Sequence, residues 1–154
     1  IVRITDDADR LLLAHNTLWE PRRVSLLAGF VEAGESPRRA VQREVFEEVG
    51  LRVDGITYLG SQYWPGPRSL MLAFEAHPVG PDAQITVDGE EIDEARFFTR
   101  AELTKALAEG EVRGPGPSSI AAAAISQWLG QDIQELMGLA SARIGAQQVE
   151  RHIS

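Results

Sequence analysis

Glu44, Glu47 and Glu48 stand at i, i+3 and i+4, and Arg43 immediately precedes them. On a helix that spacing crowds three carboxylates onto one face, where they repel. A hard divalent cation removes the conflict, because Mg2+ and Mn2+ take oxygen ligands. Mg2+ also keeps waters and usually bridges protein carboxylate to substrate phosphate. The chemistry these residues offer is therefore binding of a hard cation that can bridge them to a phosphate group. A solvated acidic helix face is the plainer alternative. It would leave the residues around the acids without a shared purpose.

Those surrounding residues form a positioning element. Ser36 can cap a first turn, Pro37 suits the first helical position, and Gly50 is a natural stop. Between them Val41, Val45 and Val49 make an apolar stripe beside the acids. The helix can then bury its valines while keeping its carboxylates at the edge of the packing. Upstream, Val24 to Ala28 reads as a short buried strand feeding a glycine-containing loop, Gly29 to Glu35.

The run Gly-x5-Glu-x7-Arg-Glu-apolar-x-Glu-Glu-x-Gly-apolar resembles the signature of the Nudix hydrolases, filled here by Gly29, Glu35, Arg43, Glu44, Val45, Glu47, Glu48, Gly50 and Leu51. The resemblance implies an α/β fold, a Nudix-type α/β/α sandwich with a mixed sheet. It implies Mg2+ or Mn2+ as cofactor, with Glu44, Glu47, Glu48 and the Ala28 carbonyl as metal ligands. Glu48 would be the central ligand, with base work by it or by Glu47. Arg43, four residues before Glu47, would orient that carboxylate, and Glu35 would brace the loop. An acidic run, Glu90 to Glu94, usually means a solvated loop. Aligned on the family's pattern around Ala95-Arg96-Phe97-Phe98, however, Glu91 matches a further metal-binding glutamate, with Glu94 the weaker candidate.

Ser61-Gln62-Tyr63-Trp64-Pro65-Gly66-Pro67-Arg68-Ser69 combines prolines, aromatics and hydroxyls, a composition suited to holding a nucleobase or nicotinamide ring. The segment is similar to the specificity motif of the NADH pyrophosphatase branch, with Tyr63 in place of proline and Gly66 in place of phenylalanine. By that resemblance Phe30, Gln62, Tyr63, Trp64, Pro65, Gly66, Pro67, Arg68, Ser69 and Ala121 are expected to contact substrate. The implied reaction splits NAD(H) into AMP and a nicotinamide mononucleotide, and removes NAD caps from RNA. A Nudix hydrolase of ADP-ribose or another nucleoside diphosphate derivative is the second reading, favoured by the altered loop. A nucleotide-sensing module without hydrolysis is the third, and the intact Glu44, Glu47 and Glu48 argue against it.

The remaining chain fits around this site. Its 154 residues suffice for one compact domain, with hydrophobic residues at 44% and charged residues at 25%. A net charge of -8 disfavours broad attraction to nucleic-acid backbone, so phosphate would need metal ions and particular arginines. No apolar run approaches the roughly 18 residues that span a bilayer, and there is no cysteine. A cytoplasmic protein with no membrane partner is expected. The chain opens at Ile1 without an initiating Met, so a fragment is expected. The branch carries an upstream four-cysteine zinc domain, which either lies outside this fragment or was lost in this lineage.

Ile1 to Ile4 and Arg10 to Ala14 read as a hairpin around Asp6 to Asp9. Leu51 to Val53 and Thr57 to Leu59 read as strands around the turn signal Asp54-Gly55, followed by strands at Leu70 to Ala76 and Ala95 to Phe98. Thr99 to Glu102 is a capping box for a helix ending at Gly110, and Ser118 or Ser119 starts an alanine-rich helix. We divide the chain into a Nudix domain over 1–130 and a helical tail over 131–154. The tail packs on the domain or on a partner copy, a homodimer being usual in the branch.

Overall fold

The computed structural model describes residues 1–66, 68–80 and 84–142. Pro67 and the tail beyond 142 lie outside the described residues. Five strands and three principal helices follow in the order β1 (Val2–Ile4), β2 (Leu11–Asn16), α1 (Pro37–Val49), β3 (Val53–Trp64), β4 (Ser69–Pro78), β5 (Ile92–Phe98), α2 (Arg100–Glu109) and α3 (Ile120–Leu129). Residues 133–142 are also helical.

β4 is the centre of a mixed three-stranded sheet: β1 lies parallel to it, with Val2 opposite Phe74, and β3 antiparallel, with Trp64 opposite Ser69. β2 and β5 pair antiparallel in a second sheet, with Leu11 opposite Phe98. The expected hairpin of the first two strands therefore does not form. Their ends meet at a bridge between Thr5 and Leu11, but each finds its ladder partner farther along the chain, β1 in β4 and β2 in β5. The expected strand at Val24 to Ala28 is likewise a stitch rather than a ladder: Ser25 bridges Ala14 in one sheet and Leu27 bridges Val2 in the other. Nor does Asp54-Gly55 turn the chain. β3 runs through it with a register shift, Gly55 taking the left-handed conformation (φ 65°) that such an irregularity favours.

β2 is buried on both faces. Leu11 and Leu13 face one apolar cluster with Phe98, Leu103, Leu107, Ile125, Trp128 and Ile133, while Leu12 and Ala14 face another with Val41, Val45, Val49 and Leu51. That explains its unbroken apolar run, which shows no period-two alternation. The sheets thus lie between α1 on one side and α2 and α3 on the other, an α/β/α sandwich. The helical residues 133–142 add Ile133 and Leu136 to the cluster under α3. No helix among the described residues is long and apolar enough to cross a membrane.

The boundaries of α1 follow from its caps. Ser36 accepts the Arg39 N–H at 3.3 Å, Pro37 opens the helix, and Gly50 closes it at φ 69° with its N–H on the Phe46 carbonyl. A Cβ at Gly50 would stand 3.2 Å from Thr86 Cβ and 3.3 Å from its carbonyl oxygen. Gly50→Ala is therefore expected to cost about 1–2 kcal/mol, since an L residue is strained in that conformation. Thermal denaturation should show a melting temperature lowered by ~4 °C. An unchanged midpoint would mean that the cap does not set the helix end.

Candidate active site

Arg43 connects the loop before α1 to the acids on it. Its guanidinium donates to both oxygens of Glu35, at 2.9 and 3.0 Å, to the Phe30 carbonyl at 3.0 Å, and to Glu47 at 3.1 Å. Glu44 stands 2.9 Å away as an ion-pair partner. Chiefly through Glu35, these acceptors raise the arginine's pKa above its ordinary value. In return the Arg43 guanidinium, through its hydrogen bonds, holds the Glu35 carboxyl below the usual range. Glu35 also accepts the Glu32 N–H at 3.1 Å, closing the turn of the loop. One guanidinium thereby fixes the loop backbone, the bracing acid and two of the three helical carboxylates. Pairing with Glu47 was legible from the spacing. The stronger bidentate hold on Glu35 was not.

Glycine at 29 leaves the space that the Glu44 side chain occupies, since a Cβ there would lie 2.0 Å from Glu44 Cδ. The carboxylate of Glu44 therefore rests against bare backbone. Glu48 lies deeper, 5% exposed on the buried side of α1, and its Oε2 has no hydrogen-bond partner. Burial, and then the charges of Glu44, Glu91, Asp88 and Glu47, push its pKa up to about 8. An orphaned buried carboxylate oxygen among further carboxylates is costly as it stands. Among the described residues, no three acidic, histidine or cysteine side chains are gathered closely enough to hold a metal ion as they stand. The orphaned Glu48 oxygen, raised in proton affinity by burial and by the nearby charges of Glu44 and Glu91, is the kind of oxygen donor that a hard divalent cation would take.

Glu91 reaches this neighbourhood because its loop is tied to the end of α1. Thr86 N–H donates to the Val49 carbonyl at 2.9 Å and Asp88 N–H to the Glu48 carbonyl at 3.1 Å. Asp88 then folds the next residues around itself, accepting from the N–H groups of Ile92 at 2.9 Å, Glu90 at 3.2 Å and Glu91 at 3.4 Å. These bonds, Ile92 first, hold its own carboxyl below the ordinary range. The sequence reading missed Asp88. Its signal was the Asp-Gly turn pair at 88–89 directly before the acidic run.

Beside Glu44 opens a largely apolar cavity of about 470 Å3, walled by Ala28, Phe30, Val41 and the first residues of β4, including Ser69. Phe30 is 84% exposed at its rim. The other expected substrate residues lie elsewhere. Tyr63 and Trp64 end β3, Pro65, Gly66 and Arg68 form the turn into β4, and none of them lines this cavity. Arg68 holds φ at 64°. Gln62 is engaged internally: its Nε2 donates to the Ser118 carbonyl at 2.6 Å, and its Oε1 accepts from Ile120 N–H at 2.8 Å and Trp64 Nε1 at 3.1 Å. It thus ties the hairpin to the start of α3, where Ala121 is buried. His15 pairs with Asp93 at 2.6 Å and with the Glu20 carbonyl, a structural role apart from the acids.

Comparison with known proteins places this geometry. Residues 1–116 match the NUDIX domain family. The chain is 47% identical over 137 residues to the NAD-capped RNA hydrolase NudC of Mycobacterium tuberculosis, covering 83% of this chain and 43% of that protein. It is 38% identical over 129 residues to the NAD-capped RNA hydrolase NUDT12 of Macaca fascicularis, covering 82% of this chain and 28% of that protein. The chain spans less than half the length of these relatives. Among solved structures, a NUDIX hydrolase from Nitrosomonas europaea superposes with a TM-score of 0.59 at 23% identity, over 82% of this chain and 85% of that one.

Proposed function

Because the chain belongs to the NUDIX domain family, we propose that it hydrolyses the diphosphate bond of NAD(H)-like dinucleotides to AMP and a nicotinamide mononucleotide, and that it removes NAD caps from RNA. The observation that carries this reading is the buried, partnerless oxygen of Glu48 at the meeting point of two acidic segments. The substrate class draws support from the two relatives named as NAD-capped RNA hydrolases.

Mg2+ or Mn2+, held by Glu44, Glu48 and Glu91 with Glu47 and the Ala28 carbonyl as further ligands, would supply an activated water and charge stabilisation at phosphorus. The residues of the chain do the rest. Glu47 or Glu48 takes the proton of the attacking water as oxygen bonds to phosphorus and the anhydride P–O bond breaks. Arg43 keeps Glu44 and Glu47 on their side of the helix. Phe30 and the apolar cavity offer a face and a volume for one ring of the dinucleotide. The same reading includes a cytoplasmic setting and a homodimer, the latter supported by exposed Tyr63, Trp64 and Leu70 on one hairpin.

Incubation with NADH and either ion is expected to release AMP and the reduced mononucleotide, identified by mass spectrometry. ADP-ribose hydrolysis is the second reading, favoured by the altered loop, in which Tyr63 is 64% exposed and Gly66 removes one aromatic surface. Equal or faster cleavage of ADP-ribose would select it. Binding of either compound without product under every metal tried would select a sensing module.

A further inference from the structure

The flank of α1 facing away from Glu44 and Glu48 carries a second feature. A groove of about 480 Å3 is lined by Glu35, Arg39, Gln42, Arg43, Phe46 and Arg52. Arg39 and Arg52 are exposed, and among the described residues neither has a carboxylate partner within ion-pair distance. Phe46 is 52% exposed, and the Arg52 guanidinium lies over its ring at 5.8 Å. Two arginines without a carboxylate partner beside a half-exposed ring concentrate positive charge locally in a chain of net charge -8. Among the described residues none covers these two arginines.

Geometry links this groove to the reaction. Arg43 sits on the crest of α1 and belongs to both sides, lining the groove while holding Glu44 and Glu47. A chain of phosphates leaving the acidic cluster over that crest would meet Arg39 and then Arg52, with Phe46 between them as a stacking surface. Guanidinium groups recognise phosphate oxygens, and base-on-aromatic stacking tolerates any sequence. Elsewhere the negative surface discourages non-specific attachment, so the groove would set the direction in which a polyanion lies.

We propose that this groove is the track for the RNA body, engaging the first nucleotides that follow the cap through Arg39, Arg52 and Phe46. The inference rests on the reading of the chain as a hydrolase of NAD-capped RNA. It adds residues that distinguish capped RNA from the free dinucleotide.

The test compares wild type with R39E/R52E and with the milder R39Q/R52Q, in two assays. In turnover, the charge reversal is expected to lower kcat/KM for a short NAD-capped RNA by 10-fold or more while NADH hydrolysis stays within about twofold. In metal-free binding, a 5′-monophosphate RNA of the same sequence should bind the reversed variant at least 10-fold more weakly. The dependence of log affinity on log salt should flatten by about 1.4, for two lost contacts to a single strand. F46A should weaken binding without changing that slope. Equal losses on NADH and capped RNA, or unchanged affinity of the variants for the RNA, would overturn the assignment. Wild type that cleaves neither substrate yet binds RNA through these arginines would overturn the hydrolase reading and leave the track standing.

Discussion

Glu48→Gln should lower kcat for NADH by about 10³-fold, the scale expected when a group aimed at charge in the transition state is lost, and should make the metal-free chain more stable at pH 8. The two effects have one origin. Glu48 is buried without a partner for Oε2 and among other acids, so its folded-state pKa stands at about 8 against an ordinary 4.5. Between those values folding takes up a proton. Metal-free stability contributed by this group is full below pH 4.5 and is lost as pH rises towards 8. The amide does not titrate, so the variant's advantage grows across the same window, on the order of 2 kcal/mol at its upper end after allowance for solvent screening. Scanning calorimetry in EDTA at pH 5 and pH 8 measures the crossover. Saturating Mn2+ should reverse the order by favouring the ionised wild type. A variant no more stable than wild type at pH 8 would mean that the carboxylate is relieved by a partner not seen here.

Gly29→Ala is the second large effect, and it separates stability from activity. The added Cβ would fall 2.0 Å from Glu44 Cδ and 2.4 Å from Cγ, the far end of a flexible side chain. The side chain can swing away, so the melting temperature should move by only ~2 °C. Doing so carries its carboxylate off the loop and away from Glu48. A kcat/KM for NADH reduced by about 10²-fold is expected. Mn2+ affinity, read by electron paramagnetic resonance, should weaken by about 10-fold, the effect of disturbing a ligand's support. Full activity in this variant would remove Glu44 from the site.

Local signals carried the site further than they carried the fold. The start and end of α1, its buried valines and the fixed places of its acids all depend on residues within a few turns of one another, and all could be read from the chain. Pairing partners could not. β1 chooses Phe74 to Ala76 rather than its neighbour β2, a choice made by burial on both sheets and invisible to a short turn sequence. Asp54-Gly55 reads as a turn because the dipeptide favours left-handed backbone. In the sheet that same property is used as an irregularity within one long strand. The bonds by which Gln62 joins Trp64, Ser118 and the start of α3 link segments far apart in the chain, which no local pattern signals. Asp88 was passed over because its contribution is to hold a loop on a helix end, a contact between segments far apart in the chain.

Arg43 grips Glu35 and the Phe30 carbonyl on one side and Glu44 and Glu47 on the other. Its side chain has a fixed reach, so an insertion or deletion of even one residue between Gly29 and Arg43 would leave some of these acceptors out of range. The interval is thereby frozen by bond lengths in a single side chain. That is why the site can be found in an unfamiliar chain by counting along it.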